Sequence, residues 1–465
     1  MRIGLMTEYP SPSVQSGPAI HTRFLYERLM HTGHDVTLMG PDTGDEVPID
    51  AAKTHLYKAM PYPTHPKVKI PAPGPWSTMW NAPRVDVVHS QTNTHMVHYA
   101  VWMRQMHRTA LLNTHTVHLP THSHFVLSDG LYNREWVRNL FRRWAESLER
   151  NWARSYNEGD CLIVQSQHLV DYWRERGVTV PIAVQGRPID PDKFSRKASR
   201  DPFAKPFARG GRLLAVCRQD REKSLDQLIR IFDQKIAPNC PDASLTLVGD
   251  GHDRANLMAQ ANACASRDRI HFPGEVAHHN TVDWYKNADL FVYTSVSETF
   301  GNVVNEALWA GLPVVALDDR MGVAHQVRHE HNGFLVTPGT HRTDGEFAAN
   351  VKMLLEDGML RRRLSENAER LCHATSHPDS VVAHFGEIYG EAIEHAKRTI
   401  PVSLSERHVL RQKAALARRL ATWSWWNKSL IWLAQLATVV GAGREAMPAR
   451  QLPAASEEQR ARRAA

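Results

Sequence analysis

Apolar residues along this chain fall into two alternating patterns. Short continuous runs give way to longer stretches in which they recur every three or four positions. Residues 2–7 ("RIGLMT") predict a first strand. A helical pattern spans about 19–32, Gly33 stops it, and "HDVTLMGP" predicts the next strand. That βαβ opening implies a parallel sheet. Further strands are predicted at 85–90 and 110–116, then a long polar helix at roughly 132–157. A strand at 160–166 and a helix ending at Gly177 follow. Residues 186–211 are rich in Pro, Gly and charge and read as an interdomain linker.

After the linker the alternation restarts. "RLLAVCR", "ASLTLVGDG", "IHFPGEV", "LFVYTS" and "LPVVAL" predict strands, with helices at "SLDQLIRIFDQKI" and "HDRANLMAQANACA". The same architecture occurs twice, which predicts two doubly wound α/β halves rather than one large sheet. The expected divisions are 1–185, the linker 186–211, 212–378, a closing helix at 379–399 and a basic, helical or disordered tail at 400–465.

Composition sharpens this in three ways. With 42% apolar and 23% charged residues, the 465-residue chain can bury a core in each half. Five cysteines (Cys161, Cys217, Cys240, Cys264 and Cys372) are odd in number and never spaced C-x-x-C, which argues against a disulfide framework and for a reducing, cytoplasmic setting. The N-terminus lacks the charged and long apolar regions of a secretory leader. The net charge of +7 is compatible with nucleic acid, an anionic membrane face or an anionic substrate.

The densest chemical signal is "SVSETFGNVVNEALWAGLPVVALDD", residues 295–319. A strand feeds a loop with Glu298, and a helix runs from Asn302 to about Ala310 and stops at Gly311. Gly301 at the helix mouth lets a ligand approach the backbone. Free N–H groups and the helix dipole there attract phosphate oxygens. Glu298 and Glu306 flank that mouth, where sugar hydroxyls make good partners. An isolated pair of this kind is usually a solvated cap; the text on either side argues otherwise.

With these residues the sequence resembles glycosyltransferase family 4, retaining enzymes of GT-B fold with two Rossmann-like domains facing a cleft. The hallmark is a Glu, seven residues and a second Glu, here Glu298 and Glu306. The resemblance implies that Glu298 lies near the donor-sugar hydroxyls and Glu306 binds the nucleotide ribose, with Phe300, Gly301 and Asn302 between them at the donor. "AVCRQDREKS" matches the family's phosphate-binding cations through Arg218 and Lys223, with Cys217 where Gly is common. Gly249, Gly251 and Val276 match the strand ends near the nucleobase. Gly17 stands in the family's Gly-rich first turn, although Pro18 replaces a second Gly. "LLNTHTVHLP" matches a His-Thr whose His, here His115, points beside the reacting sugar. The H-T-x-x-x-P string is closest to lipid-glycosylating members such as diacylglycerol glycosyltransferases and sulfoquinovosyltransferase.

The implied reaction moves a hexosyl group from a nucleoside diphosphate sugar to an acceptor hydroxyl, with no cofactor and no metal required. The "LDD" at 317–319 reads as structural or a weak donor contact. Residues 420–443 hold four tryptophans within ten residues, near Arg and Lys. They fit a peripheral anchor at an inner membrane face, or a helix packed on the enzyme body. Both the basic charge and the lipid-type text lean toward a lipid acceptor. The competing readings are an enzyme with a soluble or polysaccharide acceptor, and a non-catalytic sugar-nucleotide-binding protein. A nucleic-acid binder lacks a recognition pattern, and a dinucleotide oxidoreductase lacks G-x-G-x-x-G.

Overall fold

The computed structural model describes residues 1–400, apart from 12–16, 63–64, 72–80, 92–95, 117, 119–133, 196 and 204–210. The first half runs β1 (Arg2–Met6), α1 (Gly17–His31), β2 (Asp35–Pro41), β3 (Thr54–Tyr57), β4 (Ala59–Tyr62), β5 (His65–Pro71), β6 (Val87–Ser90) and α2 (Val97–His107). It ends with β7 (Ala110–Thr114), α3 (Glu135–Asn157), β8 (Cys161–Val164), α4 (His168–Glu175) and β9 (Ile182–Val184). Seven of these strands form a parallel sheet of order β3-β2-β1-β6-β7-β8-β9, and β4 pairs antiparallel with β5.

The second half runs β10 (Arg212–Val216), α5 (Leu225–Ile231), β11 (Ser244–Val248), α6 (Arg254–Ala263), β12 (Ile270–Gly274), α7 (Thr281–Asn287) and β13 (Leu290–Tyr293). Then come α8 (Asn302–Trp309), β14 (Val314–Leu317), α9 (Gly322–Gln326), β15 (Gly333–Val336), α10 (Thr343–Glu356), α11 (Gly358–Ser376) and α12 (Pro378–Thr399). Its sheet is six-stranded and parallel, of order β12-β11-β10-β13-β14-β15. Every residue of β10, β11, β13 and β14 is buried, as expected for parallel strands covered by helices on both faces.

Each sheet reverses its strand order once, at β1/β6 in the first half and at β10/β13 in the second. Such a switch point leaves a crevice beyond the strands' carboxyl ends, where doubly wound proteins bind ligands. That places the candidate loops: Cys217–Lys223 leaves β10, and Thr294–Gly301 leaves β13.

Several elements had no counterpart in the sequence pattern: β3, β4, β5, α2, β9, α7, α9, β15, α10 and α11. The stretch expected to be a linker also behaves differently. Its Ile189, Phe194 and Phe203 are buried in the core of the second half, beside Val216, Tyr285 and Trp309. The closing helix α12, expected at the end of the second half, packs into the first. Val381, Phe385, Ile388 and Tyr389 lie among Ile3, Leu5, Leu25, Leu38 and Leu112. A wholly buried Asp160 accepts from Arg104 Nε and Nη2 at 2.8 and 2.7 Å, and from the ring of His395 on α12 at 2.9 Å. The tail from 401 onward, including the tryptophan-rich segment, lies outside the described residues. Among the described residues no helix is long and apolar enough to cross a membrane.

Candidate active site

At the β10/β13 switch point two loops bring opposite charges together. Lys223 Nζ donates to Glu298 Oε1. The same oxygen accepts from Tyr293 OH at 2.7 Å and Ser295 Oγ at 2.9 Å. Thr294 Oγ1 braces the pair by donating to the carbonyls of Lys223 and Ser224 at 3.1 and 2.9 Å. Burial pushes the Glu298 carboxyl up, but Lys223 and the two hydroxyl donors outweigh it and hold it down, at about 2. Burial pulls the Lys223 ammonium down, and Glu298 and Glu222 more than restore it. The result is a buried ion pair, fully charged at neutral pH, at the foot of the crevice.

Gly301 caps α8 at φ +83°, in the left-handed region that glycine adopts without strain. Its carbonyl starts the helix by accepting from Val304 and Asn305 at 3.0 and 3.2 Å. Asn302 opens α8 beside Glu298, and its Oδ1 accepts from Arg187 Nη1 at 3.3 Å. Four residues on, Glu306 is buried; it accepts from His278 Nε2 at 3.0 Å and Tyr285 OH at 2.8 Å. The hydrogen bond to Glu306 raises the His278 pKa against its burial.

The remaining sequence-predicted residues divide by position. Arg218 is half-exposed at the same crevice and is held by Asp220 and by Glu222 Oε1, the latter at 2.9 Å. Gly249 and Gly251 let the loop after β11 lie against the loop after β10. A Cβ on Gly249 would stand 1.9 Å from the Cys217 carbonyl oxygen, and one on Gly251 2.4 Å from that of Gln219. Val276 packs half-buried against the core of the second half. The buried Phe300 ring lies against Gly186, where an added Cβ would meet it at 3.1 Å. Gly17 opens α1, and the turn before it lies outside the described residues. Asp319 accepts from the N–H groups of Met321, Val323 and Ala324 at 2.9, 3.0 and 2.9 Å and so caps α9.

His115 is not brought to the Lys223–Glu298 pair by any hydrogen bond or ion pair described. Its ring is 0% exposed, 4.7 Å from Trp173 in an edge contact and 3.4 Å from Tyr156 OH. The next residue makes the cross-cleft contact instead: Thr299 Oγ1 donates to the Thr116 carbonyl at 3.1 Å. Tyr293, Ser295, His278, Tyr285 and Arg187 were missed by sequence reasoning. Tyr293 and Ser295 were legible in principle, because alternate residues at the end of a strand point to one side. Nothing in the local text marks His278, Tyr285 or Arg187, whose partners are remote in the chain. Among the described residues no group of three or more His, Cys, Asp or Glu side chains is arranged to hold a metal ion.

Two doubly wound halves, with a buried ion pair at the second switch point, are the architecture of the GT-B glycosyltransferases, enzymes that move hexosyl groups from nucleotide sugars. The model for Glycosyltransferase Family 4 matches residues 15–193, and that for glycosyl transferases group 1 matches residues 202–371. The chain belongs to glycosyltransferase family 4. It is 24% identical to an alpha-monoglucosyldiacylglycerol synthase of Streptococcus pneumoniae over 68% of this chain and 71% of that one. It is 34% identical to a D-inositol 3-phosphate glycosyltransferase of Thermobispora bispora, over 33% of this chain and 35% of that one. In fold it is similar to Anabaena HepE in complex with UDP (TM-score 0.61, 17% identity), over 84% of this chain and 100% of that one. Sucrose-phosphate synthase of Thermosynechococcus elongatus gives a TM-score of 0.63 at 20% identity, over 84% of this chain and 99% of that one.

Proposed function

We propose that the enzyme transfers a hexosyl group from a UDP-sugar to the hydroxyl of a membrane lipid, working on the inner face of a membrane. The ion pair of Lys223 with Glu298 beside the Gly301 helix mouth carries this reading. As the glycosidic bond breaks, negative charge grows on the leaving diphosphate. Lys223, Arg218 and the N–H groups at the start of α8 lie on the side where that charge develops. Glu298, kept ionised, orients the sugar hydroxyls and offsets positive charge on the sugar ring. Glu306, braced by Tyr285 and His278, receives the ribose hydroxyls. The acceptor enters from the first half, past the Thr116–Thr299 contact. These groups need no metal ion to neutralise the diphosphate.

UDP is favoured because similar folds have been solved with it bound. A lipid acceptor is favoured by the similarity to a diacylglycerol-modifying synthase and by the H-T-x-x-x-P string at His115–Pro120. The test is transfer of label from UDP-, GDP- and ADP-glucose to diacylglycerol in anionic vesicles, with and without EDTA. A soluble glycan acceptor is run in parallel. Transfer to lipid from UDP-glucose, insensitive to EDTA, is expected. Transfer only to the glycan would overturn the lipid assignment, and no transfer with wild-type nucleotide binding would overturn the catalytic one.

A further inference from the structure

We propose that Arg187 is a third phosphate-binding cation of the donor site, meeting the nucleotide's diphosphate from the floor of the cleft. The inference rests on the donor-site reading above. Arg187 lies just beyond β9, on the first strand of chain to cross between the halves. It is only 7% exposed. Its Nη1 donates to Asn302 Oδ1 at 3.3 Å, and its Nη2 and Nε face the side-chain oxygen of Gln165 at 3.1 and 3.0 Å when that amide is oriented to accept. Gln165 follows β8 in the first half, and Asn302 opens α8 in the second.

Both partners are neutral. A guanidinium has five N–H donors, and these contacts use only some of them. Among the described residues no carboxylate stands within ion-pair distance of Arg187; Glu298 acts on it only from farther away, and the Oε1 of Glu298 is taken by Lys223. His21 on α1 adds no second positive charge: burial, then Arg187, keep that imidazole neutral. A buried cation facing neutral oxygens is costly unless an anion completes the site. Burial accordingly pulls the Arg187 pKa down to about 10.

The position of this unmet charge names its ligand. It touches the first residue of α8, the helix whose mouth is read as the diphosphate cradle, and it lies close enough to Glu298 to feel that carboxylate's charge. A diphosphate seated there displaces the long contact to Asn302 and accepts from the guanidinium. Because Arg187 also reaches Gln165, the same anion draws the two halves together.

The test compares UDP with uridine, by isothermal titration and by thermal shift, on wild-type protein, Arg187→Met, Arg187→Lys and Gln165→Leu. Arg187→Met is expected to lower the ratio of UDP to uridine affinity by about tenfold or more, as loss of a charge-assisted bond implies. Arg187→Lys is expected to fall between, and it carries the test should the Met variant not fold. Gln165→Leu loses the staple but keeps the ratio. A wild-type ratio in Arg187→Met or Arg187→Lys would overturn the proposal. So would an equal loss for UDP and uridine with a lower ligand-free Tm, which marks a structural staple. If wild-type protein binds none of UDP, GDP and ADP, the donor site itself fails and this inference goes with it.

Discussion

At Glu298 burial and charge pull in opposite directions, and Lys223 decides the balance. The ordinary carboxyl value of 4.5 is depressed, so stability from this ionised group is present above pH 4.5 and lost as pH falls toward about 2. Glu149 has the opposite sign. It is fully buried on α3, bonded to Tyr172 and Arg176, and burial raises it to about 6. Its contribution is present below pH 4.5 and lost as pH rises through 6. Thermal unfolding from pH 4 to 8 should therefore give Glu149→Gln a gain over wild type that appears only toward the alkaline end. At pH 8 it is of the order of 2 kcal/mol; a gain independent of pH would refute the assignment. Kinetics separate the site residues. Lys223→Ala should lower kcat by about 10²–10³ with a small change in KM, because the ammonium meets charge that develops only in the transition state. Glu306→Ala should mainly raise KM for the nucleotide sugar, by roughly tenfold. Equal effects on both constants in both variants would undo this division of roles.

The donor loop owes its shape to a neighbouring element as much as to its own residues. Gly322 on α9 lies so close to Phe300 that a Cβ would stand 2.4 Å from its Cα and 2.5 Å from its N and C. The Gly322 N–H also donates to the Glu298 carbonyl at 2.8 Å. Backbone against backbone cannot yield cheaply, so Gly322→Ala should push the Glu298–Gly301 loop out of place. Activity should fall more than tenfold and Tm by several degrees, for a cost of about 1–3 kcal/mol. Gly345 on α10 is the control: a Cβ there meets nothing within 4 Å, and Ala should add up to about 1 kcal/mol. Wild-type activity in Gly322→Ala would remove the loop from the mechanism. Contacts of this kind also mark the limit of what the sequence made legible. The strand–helix alternation and the α8 start at Gly301 and Asn302 were readable because periodicity and punctuation encode them locally, and Lys223 and Glu298 were each readable from a dense motif, but the ion pair between them, 75 residues apart in the chain, was not. The brace on Glu306 was not, since His278 and Tyr285 precede it by 28 and 21 residues and meet it only through the packing of α7 on α8. Likewise β3 and β9, short strands on the two edges of the first sheet, lack the long apolar runs that flag central ones.

At the scale of the whole molecule, chain order and core membership part company. Two crossings join the halves, and they are tied to each other. Ile189 N donates to the Ser376 carbonyl at 2.9 Å, and Asn305 accepts from Ser376 Oγ at 2.9 Å while donating to the Arg187 carbonyl at 3.1 Å. The second crossing then delivers α12 back to the first half. There Tyr389 OH and His89 Nδ1 meet at 2.8 Å, His384 meets Gln185 at 2.5 Å, and Val381, Val382, Phe385, Ile388, Ala392 and Ala396 fill the core over β1, β6 and β7. Each large apolar side chain of α12 stabilises by about 1.5–3 kcal/mol when buried. Together they match the whole stability of an ordinary domain, about 5–15 kcal/mol. Residues 1–185 alone should therefore fail to fold, leaving Ile3, Leu5 and Leu38 open to solvent. The same segment joined by a flexible linker to 378–399 should recover a cooperative thermal transition. Tyr389→Phe in that fusion should lower its stability by about 1–3 kcal/mol, since it strips a hydrogen bond from a buried imidazole. The readout is the near-ultraviolet circular dichroism melt of the three fragments. A cooperative melt for 1–185 by itself would mean that α12 is an ornament on a self-sufficient domain, and that the halves are free to move without that constraint.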